Sequence, residues 1–212
     1  MTWNQPQRLA VVAALFAVAS FAGWTSAEAA ERYVAELTPL NADKLGSSAS
    51  GTATFEIENG KLKTTIVLKG LPPNIAHLQH FHGFVDKDAT CATSKDDVNG
   101  DGYIDLLETE PVSGVTMLPF HSHPATLEIP SDTYPVADGA GNAHYEHTDD
   151  VAELEKALHG KFKTSGLKLA ERVVIVHTVP NDTKLPDSAK SLAGVPAQVT
   201  IPLACGKIEA VK

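Results

Sequence analysis

The chain has 212 residues, a formal net charge of −9, and 43% hydrophobic residues of which few are aromatic. That length gives one domain with a sizeable core. An acidic chain without a basic run is a poor fit to nucleic acid or to an anionic membrane surface, and the absence of repeats and low-complexity tracts argues against solenoid or disordered classes.

The first thirty residues read as a secretory signal peptide. Arg8 and the amino terminus supply positive charge, and Leu9 to Ala22 is apolar except for Ser20. Ala27-Glu28-Ala29 then offers small residues for cleavage after Ala29 or Ala30. The apolar run is short of the ~20 residues that a span needs. Residues 31–212 are therefore expected as one domain, periplasmic or secreted, with no membrane association after signal removal.

Alternation predicts strands at 33–37 and 51–58, an Asn59-Gly60 hairpin turn, and a partner strand at 61–69. A turn at 70–74 precedes a strand at 75–84. Residues 86–124 are rich in Asp, Gly, Ser and Pro and read as one long ordered loop. The spacing predicts a helix over 148–160, with Asp150 and Glu153 as a capping box, Val151, Leu154 and Leu158 on one face, and Gly160 as its stop. Strands are expected again at 172–178, 197–204 and 207–211. The fold class is all-β: a sandwich or barrel of seven or eight strands with one small helix.

Two cysteines, Cys91 and Cys205, stand 114 positions apart. In an exported chain a disulfide is the default; a thiolate metal ligand or two free thiols are the alternatives. Nine histidines are many for so few aromatics. His80 and His82 are two apart on one strand, so both face the same side, and imidazole suits copper and zinc. His144, His147 and His159 read as surface residues, although the first two have a spacing compatible with metal.

His80-Phe-His82, Cys91 nine residues on, the strand Arg172-Val-Val-Ile-Val-His177, and the closing Leu203-Ala-Cys-Gly together resemble the copper–zinc superoxide dismutases. In that family a Gly-Phe-His-Val-His segment opens the copper site and a Leu-Ala-Cys-Gly cysteine closes a disulfide. The resemblance covers residues 32–212. It implies a Greek-key β-barrel, a Cys91–Cys205 bridge, copper at His80, His82 and His177, and His77 packed beside the site without binding metal.

The departures fall at defined positions. Asp97 stands where the family has the histidine bridging copper to zinc, Pro202 replaces the arginine that guides superoxide, and Asn181 replaces an aspartate linking the two sites. The zinc ligands have no alignable counterparts, which argues against zinc. His121 and His123 are the nearby imidazoles that can complete the copper set or form a separate site.

In the zinc loop's place, Asp97-Val-Asn-Gly-Asp-Gly-Tyr-Ile-Asp-Leu-Leu-Glu108 matches the twelve-residue calcium loop of an EF-hand. Asp97, Asn99, Asp101, the Tyr103 carbonyl, Asp105 and Glu108 occupy its ligand positions, and Gly102 its sharp turn. Cys91 before and Pro111 after it argue against full flanking helices. Three functions follow as alternatives: a copper-dependent superoxide dismutase, a copper-holding or structural envelope domain, and a calcium-stabilised adhesion module. The expected partners are accordingly metal ions, and superoxide if the protein is an enzyme.

Overall fold

The structure is a computed structural model that describes residue 1, residues 30–129 and residues 132–212. The expected signal peptide, apart from Met1 and Ala30, lies outside the described residues. Among those described, no helix is long and apolar enough to cross a membrane.

The strands are β1 (Glu31–Pro39), β2 (Ser50–Glu58), β3 (Lys61–Lys69), β4 (Gln79–Gly83), β5 (Val115–Pro119), β6 (Ala143–Asp150), β7 (Val173–His177), β8 (Pro202–Lys207) and β9 (Glu209–Ala210). They form one antiparallel sheet, ordered β5-β4-β7-β8-β1-β2-β3-β6 with β9 beside β1, curled into a half-barrel. β1 joins the two halves, because its first seven residues pair with β2 and its last two with β8. The β2–β3 hairpin has the expected register. Asn59 and Gly60 both adopt positive φ, 50° and 73°, which is the backbone of a type I′ turn.

Alternation along the strands sorts side chains to two faces. Phe81 on β4 and Val174 and Val176 on β7 enter the main core with Phe55, Ile66, Phe120 and Leu203. His80, His82, Val173 and Ile175 lie on the other face of the same strands. There Ala89, Val173, Ile175 and Cys205 make a second small cluster with Cys91, Phe84 and Leu40 packed against it. The Cys91–Cys205 disulfide is present and fastens the segment after β4 to this face.

Several sequence expectations need correction. The 86–124 stretch is not one loop: it contains α2 (Leu106–Ser113) and β5. Asp105 caps α2 by accepting from the Glu108 N–H, and Glu108 accepts from the Asp105 N–H in return. That reciprocal cap carries a two-turn helix through Pro111. The helix near 150 is α3 (Val151–Phe162), with Asp150 accepting from the Glu153 N–H at 3.1 Å. It passes through Gly160 and ends where Lys163 turns left-handed, at φ 64°. Residues 143–150 are strand β6, whose Ala143 and Tyr145 point inward. Residues 197–200 form a single helical turn, α4 (Ala197–Thr200), ahead of β8, and a further turn, α1 (Ala42–Leu45), follows β1. The described residues thus hold nine strands and four helices of 4 to 12 residues, rather than seven or eight strands and one helix.

Candidate metal centre

β4 and β7 are neighbours, with His80 opposite Ile175 and His82 opposite Val173. His177 ends β7, and its N–H donates to the Leu78 carbonyl at 2.8 Å. This pairing brings His80, His82 and His177 together on one face. Their ring centroids are 5.3 to 5.7 Å apart, and all three are at most 3% exposed. Among the described residues they are the one group of three or more histidine, cysteine or carboxylate side chains whose donor atoms all lie within 4.8 Å of one another.

Backbone carbonyls fix the rings. His177 Nδ1 lies 2.8 Å from the Thr200 carbonyl and His82 Nδ1 lies 3.3 Å from that of Gly114. A carbonyl only accepts, so each Nδ1 carries the proton. Each Nε2 then presents a lone pair, and the two Nε2 atoms face each other at 3.4 Å. Two opposed lone pairs do not hydrogen bond; a cation between them resolves the repulsion. The Thr116 hydroxyl, 3.3 Å from His82 Nε2, is a weak competitor for it. Neither ring nitrogen of His80 has a hydrogen-bond partner among the described residues, although both are buried. A buried imidazole without a hydrogen-bond partner is costly unless it binds something. The donor set fits a transition-metal ion that favours imidazole.

Burial, with smaller contributions from the neighbouring rings, lowers His80 well below the usual histidine value. Burial first, then His177, takes His82 to about 3, against the pull of the Gly114 carbonyl. Burial takes His177 to about 4, against the Thr200 carbonyl. The rings are neutral at neutral pH, as metal ligands must be. The sign for stability follows. Between these lowered values and the ordinary 6.5, the unfolded chain binds protons that the folded chain refuses, so stability falls with falling pH. Urea unfolding of metal-free protein should give a lower free energy at pH 5 than at pH 7.5; a flat profile contradicts neutral, desolvated imidazoles.

His77 lies outside the donor cluster. Its Nδ1 is 3.1 Å from the His177 carbonyl and its Nε2 is 2.8 Å from that of Pro72. It therefore braces the strand end that carries His177. His121 and His123 do not join the three. His121 spends Nε2 on the Glu128 carbonyl at 2.8 Å and Nδ1 on the His123 N–H at 3.0 Å, while His123 is exposed. His144 is exposed, His147 lies 3.4 Å from Asp149, and His159 Nδ1 faces the Thr164 carbonyl at 3.1 Å.

The 97–108 loop winds tightly around its own carboxylates. Asp97 accepts from the N–H groups of Gly100, Asp101 and Gly102. Asn99 and Asp101 cap the N–H groups two residues on, and Glu108 accepts from Val98 and Asn99. Asp101 also accepts from the Ser188 hydroxyl, and Asp105 from the Lys190 N–H. Those two bonds tie the loop to the 188–192 segment. Together, Leu106 and Glu110 of α2 and Leu192 of that segment wall a cavity of about 280 Å³ whose floor is His80, His82 and His177. Sequence reading found the histidines but not this roof, because nothing in residues 178–200 points to it.

Gly114 is a second contributor that sequence reading missed. It holds φ 76°, and a Cβ there would lie 2.1 Å from the Gly83 carbonyl oxygen. Gly114→Ala should lower stability by about 1–3 kcal/mol through backbone strain. It should also weaken metal binding by about 10–100-fold by moving the carbonyl that orients His82. Urea unfolding and a metal-competition titration of the variant read the two effects separately.

No protein-family model matches the chain, and a search of curated proteins finds no match.

Proposed function

We propose that the protein is an exported copper-holding protein built on a Greek-key barrel of the superoxide dismutase kind. The observation that carries this is the pair of opposed Nε2 lone pairs with the orphaned, buried His80 beside them. Copper rather than zinc is inferred from the resemblance of the histidine and cysteine segments, and from the stronger binding of Cu²⁺ than Zn²⁺ by nitrogen sites. Copper bound there supplies one-electron chemistry, the kind that dismutates superoxide to oxygen and hydrogen peroxide. The chain's own residues would hold and orient it: three imidazoles bind, the carbonyls of Gly114 and Thr200 set the tautomers of His82 and His177, and aliphatic side chains line the approach.

Holding is favoured over fast dismutation by the approach to the site. Glu110 is the charged side chain among the described cavity walls, Pro202 stands where the family has a guiding cation, and the chain is acidic overall. Rapid capture of an anion needs positive potential at the mouth. The test is metal analysis followed by a stopped-flow superoxide assay on copper-loaded protein. One copper per chain with a rate constant far below the diffusional range of about 10⁸–10⁹ M⁻¹s⁻¹ is expected. A rate near that range makes the protein an enzyme, and no retained copper ends the reading altogether.

We also infer that residues 97–108 take calcium in a structural role. The ligand pattern and the tight turn at Gly102 support it, and an ion there would compete with the backbone N–H groups of Val98, Asn99 and Asp105 for the Glu108 carboxylate. Millimolar calcium should then raise the melting temperature; an unchanged value refutes it.

A further inference from the structure

The cavity above the three histidines is walled mainly by aliphatic side chains, Leu78, Leu106, Val115, Leu192 and Val199. Leu192 and Val115 are 57% and 42% exposed, so the apolar lining reaches solvent and the site is open from that side. Its floor is polar and unsatisfied: His80 is 3% exposed and neither of its ring nitrogens has a hydrogen-bond partner among the described residues. Apart from the histidines, Glu110 is the one charged residue among the described lining residues. An anion entering would lose its water against aliphatic walls and pass a carboxylate, and both cost free energy. An uncharged molecule with an apolar body gains from the same walls. The volume of about 280 Å³ sits near the lower end of small-molecule pockets, about 300–1,000 Å³, which suits a molecule built on one or two rings.

We propose that this cavity binds a small uncharged organic molecule with an apolar body and a single nitrogen donor, and that it disfavours small anions. The nitrogen donor follows from the suitability of imidazole-type nitrogen as a copper ligand, so this part rests on the copper-holding reading. The apolar body does not: it rests on the walls alone. Leu78 precedes β4, Leu106 begins α2 and Leu192 belongs to the segment tied to Asp101 and Asp105. The fit therefore depends on three separate parts of the chain meeting over the histidines.

Two arms test it on the full domain. In metal-free protein, millimolar toluene should shift the methyl NMR signals of Leu78, Leu106 and Leu192; unmoved signals overturn the proposal. In protein loaded with copper(II) alone at pH 8, electron paramagnetic resonance titrations should rank 4-phenylimidazole above imidazole and imidazole above azide. The first step is expected to be about tenfold or more from the apolar surface that the added ring buries, and the second about tenfold from the desolvation of the anion beside Glu110. Leu192→Asp, at an exposed rim position, should weaken 4-phenylimidazole by about tenfold. Azide binding more tightly than 4-phenylimidazole, or phenylimidazole no tighter than imidazole, overturns it. Protein that takes up no copper refutes the copper-holding reading, and the toluene arm still decides the cavity.

Discussion

Replacing His177 with alanine should lower metal affinity, read with added copper, by more than about a hundredfold while the domain stays folded. Loss of an outer partner of a metal ligand alone costs about 10–100-fold, and His177 is one of three direct donors. Its imidazole is the group facing His82 at 3.4 Å, so the variant keeps two rings and loses the opposition that favours a cation. The contacts that hold the strand are backbone ones. The His177 N–H still donates to Leu78, and its carbonyl still faces the His77 ring at 3.1 Å. Removing a buried ring leaves a void but also removes a desolvated polar group, so the two stability effects oppose each other. A copper-competition titration beside a circular dichroism melt checks both halves. Unchanged affinity would place the metal elsewhere.

Removing the disulfide as Cys91→Ala with Cys205→Ala should lower the melting temperature by roughly 10–20 °C. The cysteines are 114 residues apart, and closure of a loop near that length is worth about 4–5 kcal/mol. For a domain of this size each kcal/mol moves the midpoint by about 2–4 °C. Cys205 lies in the sheet between Ile175 of β7 and Thr38 of β1. The bridge pins the start of the segment that runs through the acidic loop to α2. Metal affinity should fall as well, because Leu106 and Glu110 then roof the histidines less firmly. Calorimetry with and without reductant on the parent, and on the double variant, measures the first effect; a shift below about 3 °C contradicts it.

What was legible in the sequence was the regular part. Asn59-Gly60 fixes its hairpin locally, and the two-residue spacing of His80 and His82 sets both on one face wherever that strand lies. Their meeting with His177 came from a likeness of segments, since no local pattern pairs β4 with β7. The helix α2 was hidden because its buried residues are Glu108, Thr109 and Ser113, which give no apolar stripe, and because Pro111 reads as a breaker. β6 has the alternation of a strand, but its histidines read as surface residues and its acidic end, with Asp150, as the cap of the following helix. In 197–200 a helical turn ahead of β8 is too short for periodicity to reveal. The roof of the cavity was the least legible of all, since it depends on one backbone to side chain bond and one side chain to side chain bond, between residues 85 and 87 positions apart.

The pairing of β4 with β7 also sets an order in time. His82 and His177 are 95 residues apart, and a contact that distant forms only after a long stretch of chain has closed upon itself. The unfolded polypeptide therefore keeps His80 and His82 close together, with His77 beside them, but leaves His177 far away. Metal present during refolding should leave the folding rate nearly unchanged and slow unfolding instead, because an interaction absent from the transition state acts on the escape from the native state. The histidine cluster would then work as a latch on a finished fold rather than as a nucleus for it.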